Sequence, residues 1–281
     1  MVLCSSGARA QEAGATPVTR TVTIPGTVVS FDLVRLSSPA GEGSERAADD
    51  EAPEVWMATT EATWDAFDVF IYGLERPADT PEGADGESVD AVARPTTPYI
   101  AVDRGFGHSG YPALSVSARN ARAYCTWLSD LTGLSFRLPT LDEWVSACRA
   151  DGDDVNVDKA TLTWIGWYRS NSKYKTHPVA RKEANAWGLH DLAGNVSEWV
   201  TDADGAPVLQ GGSYLDGLSS CSCERSRPDD PNWNSSDPNL PKSVWWLADG
   251  SFIGFRVVCE GPLEGDAVSD PATAGDPREI R

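Results

Sequence analysis

The sequence predicts an α+β domain with little regular secondary structure. Glycine and proline are abundant, 25 and 19 in 281 residues, which favours turns and irregular connections over a helix bundle. Eleven tryptophans supply large, rigid side chains around which such loops can pack. Periodic segments are few and short, with strand-like text near both ends and three helical patterns between them. The 41% of apolar residues is enough for a sizeable core.

In chain order, residues 1–20 read as a disordered start or the remnant of an export signal. Ala8-Arg9-Ala10 before Gln11 has the small-x-small form of a cleavage site. Residues 21–260 form the domain, and the polar stretch 261–281 a flexible tail. Val22 to Leu36 is strand-like, with Val29, Phe31 and Leu33 on one side. A Gly- and acid-rich loop over 37–54 precedes a short strand from Glu54 to Ala58. Thr63 is placed to cap a helix whose inner face carries Trp64, Phe67, Phe70 or Ile71, and Leu74. Another acidic, Pro/Gly-rich loop covers 75–98.

Ser117 caps a second helix, in which Ala121, Cys125 and Leu128 stack at i, i+4 and i+7, and Gly133 stops it. Pro139, Thr140 and Glu143 spell a capping box for a third, with Leu141, Trp144 and Cys148 facing inward. Regular signals then lapse until Phe252–Cys259, a strand with Phe255, Val257 and Cys259 on one side. Residues 226–250 could wall a cleft. There Trp233, Trp245 and Trp246 either line it or plug the core.

Charge and composition exclude some functions. With 23 Lys and Arg against 42 Asp and Glu, the net charge is −19, which argues against a nucleic-acid binder. No apolar run is long enough to span a membrane. Six cysteines and the possible export signal suggest a periplasmic or secreted protein. None of the six forms a Cys-x-x-Cys pair. The Cys-x-Cys at 221 and 223 lacks obvious partners for zinc. His108, His177 and His190 are dispersed and read as loop or packing residues.

Four segments carry chemistry: RLPTLDEW (137–144), WGLHDLAGNVSEW (187–199), GGSY (211–214) and GFR (254–256). Ala123-Tyr-Cys-Thr-Trp127 and Ala147-Cys-Arg149 accompany them. Their order and spacing resemble the formylglycine-generating enzyme, or sulfatase-modifying factor, family. The resemblance implies a variant of the C-type lectin fold.

Asp191 and Glu198 are hard oxygen donors. Gly194 and Asn195 favour a tight turn that could aim the carbonyls of Gly194 and Val196 at the same cation. Oxygen-only ligands suit calcium. The resemblance also implies a structural calcium here, and a second site beginning at Asn171 and Ser172. The short basic loop Lys173–His177 that follows differs from the family's.

In the family, two cysteines after Gly-Gly-Ser bind copper(I), activate oxygen and oxidise a substrate cysteine to formylglycine. The matching positions here are Asp216 and Cys221, so one soft ligand is replaced by a hard one. Ser213, Asp216 and Cys221 are therefore the candidate catalytic residues, with copper or another redox metal as candidate cofactor. By the same resemblance Cys148 pairs with Cys223 or Cys221, and Cys125 with Cys259.

Three functions follow from this. One is a divergent, oxygen-dependent oxidoreductase acting on a thiol, peptide or small molecule. A second is a non-catalytic, calcium-stabilised binding module that takes a peptide, protein or small-molecule ligand in a surface cleft. The third is sulfatase-activating formylglycine generation.

Overall fold

The computed structural model describes residues 17–36, 54–75, 103–150, 159–234 and 248–263. The Ala8–Ala10 segment, most of the two acidic loops, Trp245, Trp246 and residues 264–281 lie outside the described residues.

The strand-like stretch near the start is a hairpin of β1 (Thr19–Thr23) and β2 (Ser30–Arg35). Pro25 and Gly26 break it in the middle, because proline cannot donate to a ladder and Gly26 adopts φ +78°. β3 (Val55–Ala58) pairs with β2, and Trp56, Met57 and Ala58 are buried.

α1 (Trp64–Tyr72) starts at Thr63, whose hydroxyl accepts from Ala66 N, and ends at Gly73 in the left-handed region. Trp64, Phe67, Phe70 and Ile71 are buried as expected, but Leu74 is exposed because it follows the Gly73 cap. α2 (Ala118–Thr132) runs from the Ser117 cap to Gly133. Phe67, Phe70, Tyr124 and Phe255 meet at centroid distances of 5.3–5.8 Å and join these helices to the C-terminal strands.

β4 (Ser135–Arg137) leads into α3 (Leu141–Arg149), which has the predicted reciprocal Thr140–Glu143 capping box. Arg137 holds Glu143 from outside the helix at 2.6 Å. α4 (Lys159–Ile165) follows.

The region without sequence signals contains β5 (Ser197–Thr201), β6 (Pro207–Gly211) and β7 (Ser222–Pro228). The last predicted strand is two short ones, β8 (Ile253–Gly254) and β9 (Val258–Glu260), separated by Phe255–Val257. The break sends the chain from one sheet to the other. β8 lies parallel to β5 in a sheet ordered β7-β6-β5-β8. β9 enters an antiparallel sheet ordered β1-β2-β3-β9-β4.

Cys148 of α3 and Cys223 of β7 form a disulfide that spans 75 residues of sequence. Cys125 and Cys259 are both free and buried, which corrects the bridge implied for them. Cys259 stands opposite both Trp56 and Phe136 in its sheet, and packs in the core as a small apolar side chain. Trp233, half-buried, packs against Trp199 and Phe252 at the margin of the core, at 6.0 and 5.7 Å.

Candidate functional site

The turn Asp191–Val196 and strand β5 surround a buried cluster of charge. Arg256, in the break between β8 and β9, is completely buried. Its guanidinium donates from Nε to Glu198 Oε2 and from Nη2 to Glu198 Oε1, both at 2.6 Å. It also donates to the carbonyls of Ala58 and His190 at 3.0 and 2.9 Å. Trp144 Nε1 adds a third hydrogen bond to Glu198, at 2.7 Å to Oε2. This two-pronged pairing is the strong geometry for an arginine and a carboxylate, and it satisfies charges that burial would otherwise penalise.

Two further carboxylates lie in the same region. Glu61 is buried just ahead of α1. Its oxygens accept from Val196 N at 3.2 Å and Asn195 Nδ2 at 3.1 Å. Burial first, and then the charges of Asp191 and Glu198, push its pKa well above the ordinary value. Asp191 sits at φ +61° with its side chain buried. Its Oδ2 accepts from Ala180 N at 2.7 Å, while its Oδ1 has no hydrogen-bond partner among the described residues. Burial raises its pKa to about 6.

Gly194 makes the turn possible. Its φ is +147°, and a Cβ there would lie 2.3 Å from the Trp167 carbonyl oxygen. The structure thus brings Asp191, Gly194, Val196 and Glu198 into one region. Asn171 and Ser172 lie in the adjoining loop. Asn171 Oδ1 accepts from Tyr168 N at 2.8 Å, and Ser172 Oγ donates to the Tyr214 carbonyl at 2.9 Å. His177 ties that loop to the turn: its ring Nε2 donates to the Ser172 carbonyl, and its backbone N–H donates to Asn195 Oδ1.

Both oxygens of Glu198 are thus held by the Arg256 guanidinium, while the buried Asp191 Oδ1 has no hydrogen-bond partner among the described residues. Among the described residues, no three His, Cys, Asp or Glu side chains group as a metal site.

The candidate catalytic residues also come together, just beyond β6. Ser213 Oγ donates to Asp216 Oδ2 at 2.5 Å, and Arg227 Nη2 reaches the same oxygen at 3.2 Å. Cys221 is only 1% exposed and packs against Leu162, Tyr168 and Ala193. Its thiol lies 3.8 Å from the Ser213 carbonyl. Gly212 passes so close that a Cβ there would sit 2.8 Å from the sulfur. Burial first, with the Asp216 charge adding to it, pushes the Cys221 thiol up to about 12. Cys223 is taken by its disulfide, so Cys221 is the one free thiol of the segment. A single buried thiol beside a paired carboxylate does not fit a two-thiolate copper(I) centre.

Sequence reasoning missed Glu61 and Arg227. Glu61 stands in Thr-Thr-Glu-Ala-Thr, which reads as solvated text, and its partners are more than 130 residues away. Arg227 lies in a strand whose sequence, SCERSRP, has no apolar alternation. Arg256 was visible as part of a motif, without its role.

The profile of the sulfatase-modifying factor enzyme 1-like domain matches residues 7–260. A formylglycine-generating enzyme of Mycobacterium tuberculosis is 36% identical over 200 residues, covering 56% of this chain and 60% of that protein. The inactive C-alpha-formylglycine-generating enzyme 2 of Bos taurus is 32% identical over 136 residues, covering 42% and 43%. The chain thus spans about half the length of these curated relatives. Treponema denticola variable protein 1 superimposes with a TM-score of 0.59 at 21% identity, covering 87% of this chain and 99% of that one. That likeness shows the fold, a variant of the C-type lectin fold.

Proposed function

Since the chain belongs to the sulfatase-modifying factor enzyme 1-like family, we propose that it is a non-oxidising member of that family, a binding module that keeps the scaffold without the copper chemistry. One observation carries this reading, the state of Cys221. Oxidation through copper(I) needs two accessible soft ligands, and the thiolate is the form that binds. Cys221 is buried and its pKa lies near 12, so it stays a thiol at neutral pH. The position of the second ligand holds Asp216, whose carboxylate is already bound to Ser213 and Arg227. A relative that is itself described as inactive supports the reading.

The same module does without calcium at Asp191–Glu198, because the Arg256 guanidinium supplies the positive charge there. The Cys148–Cys223 bridge suits an oxidising compartment.

A direct test incubates the purified protein with copper(I), oxygen and a peptide bearing Cys-x-Pro-x-Arg. We expect no aldehyde by mass spectrometry, and no labelling of Cys221 by iodoacetamide until the protein is unfolded. Appearance of formylglycine would sink the proposal.

A further inference from the structure

The loop that packs over the Ser213–Cys221 segment is basic, in a chain whose net charge is −19. Between Arg169 and Lys182 lie five of the 23 lysines and arginines and no aspartate or glutamate. Arg169, Lys173 and Arg181 are exposed, and among the described residues none of the five cations lies within 4 Å of a carboxylate, although Lys182 senses the charge of Asp191.

A backbone hydrogen bond and ring contacts set this loop against the candidate site. Arg169 N donates to the Asp216 carbonyl at 2.9 Å, and its guanidinium lies over Gly217. Lys182 Nζ stands 4.1 Å from the Trp167 ring centre, and His177 stacks on the same ring at 3.7 Å. Burial first, and then Lys175, Lys182 and Lys173, hold the His177 pKa below its ordinary value, so the ring senses a positive field.

Two more features point to a ligand. Lys173 and Tyr174 both adopt left-handed backbone, at φ +58° and +59°. Consecutive non-glycine residues in that region carry strain, and such strain collects at binding sites. The loop spends it on holding out a lysine and a tyrosine, both exposed. Large apolar side chains are also exposed around the same loop: Trp164 at 64% and Tyr174 at 62%, with Leu215 and Leu218 beside Arg169. Aromatic anchors ringed by charge are the composition of a recognition surface rather than of a solvated one.

We propose that this face, formed by Trp164–Lys182 and the Leu215–Leu218 turn, docks an acidic peptide segment of a partner protein. Carboxylates would meet Arg169, Lys173 and Lys175, and apolar side chains would rest on Trp164 and Tyr174. The strongly acidic remainder of the molecule favours a short acidic peptide over a nucleic acid, whose long phosphate backbone would run into repulsion. The inference rests on the reading that the chain binds rather than oxidises, and it adds the chemistry of the partner.

The probe is a short fluorescent peptide that alternates Asp and Glu with Leu and Phe, followed by anisotropy. A sister peptide carries Lys in place of every acid. The protein should bind the acidic peptide and not its sister, and binding should weaken as salt is raised. Lys173→Glu with Lys175→Glu should weaken it by roughly tenfold. Arg181→Glu should weaken it too, and guards against a folding defect in the double variant. Arg35→Glu, on β2, should leave it unchanged.

Equal affinity for the double variant and the parent would overturn the inference. So would an absence of binding, or tighter binding of an oligonucleotide than of the peptide at the same face. These failures are separable from failure of the preceding reading, which only aldehyde formation on a cysteine peptide decides.

Discussion

Arg256 and Glu198 show how one pair of side chains can set the properties of a site. Both are buried, and Glu198 is the carboxylate paired directly with the guanidinium, at 2.6 Å. Arg256→Met should therefore destabilise the fold by about 3–5 kcal/mol, the range for stranding one member of a buried pair. The double change Arg256→Met with Glu198→Leu should recover much of that loss, as measured by urea unfolding. The pair also bears on calcium: melting temperatures with calcium and with chelator should agree to within about 2 °C, since no binding free energy is added to the folded state. A calcium-dependent rise would show that a cation competes with the guanidinium. The chemical types of this site were legible in the sequence, because Asp191 and Glu198 sit in a recognisable motif. Their partners were not. Arg256 reaches Glu198 from 58 residues away and Glu61 reaches Val196 from 135, and sequence periodicity carries no information over such distances.

Among the elements, those that depend on nearby residues were the ones read correctly. The Thr140–Glu143 box, the Ser117 cap and the Gly133 stop are settled within a few residues, and all three are present. Strands β5 to β7 went unread because their residues do not alternate. All of Ser197–Val200 is buried on both faces, so polar and apolar positions are mixed. The connection after α1 offers a test at this scale. His108 stacks on Trp64 and contacts Asp68 at 2.7 Å and Asp103 at 3.4 Å. Burial alone would lower its pKa, but the hydrogen bonds and charges of these two aspartates outweigh it and raise the pKa above the usual value. A raised histidine stabilises fully below its unfolded pKa of about 6.5 and loses the contribution as pH rises through the folded value. The melting temperature of the parent should therefore exceed that of His108→Gln most between about pH 5 and 6.5. The gap should narrow at higher pH, and a gap independent of pH would show that the stacking on Trp64, not the charge, is what matters.

For the molecule as a whole, the Cys148–Cys223 bridge fastens α3 to the edge strand of the second sheet. By the loop-closure argument, its removal should cost about 4 kcal/mol. Cys148→Ala with Cys223→Ala should show this in urea unfolding, with Cys221 still protected in the folded state. The loop-rich character was legible from composition, and the α+β class from the family resemblance. The two-sheet plan was not, because it turns on a break at Phe255–Val257 that the sequence presents as one continuous strand. That break has a consequence for how the protein is made. β9 lies between β3 and β4, and β8 borders β5, so residues 253–260 complete both sheets. A ribosome delivers these residues after all the strands they join. Until they emerge, β3 and β4 lack the strand that separates them, and the chain cannot close its core before residue 260 is made. Cys148 and Cys223 are already on the chain throughout that interval, so the bridge can close before either sheet is complete.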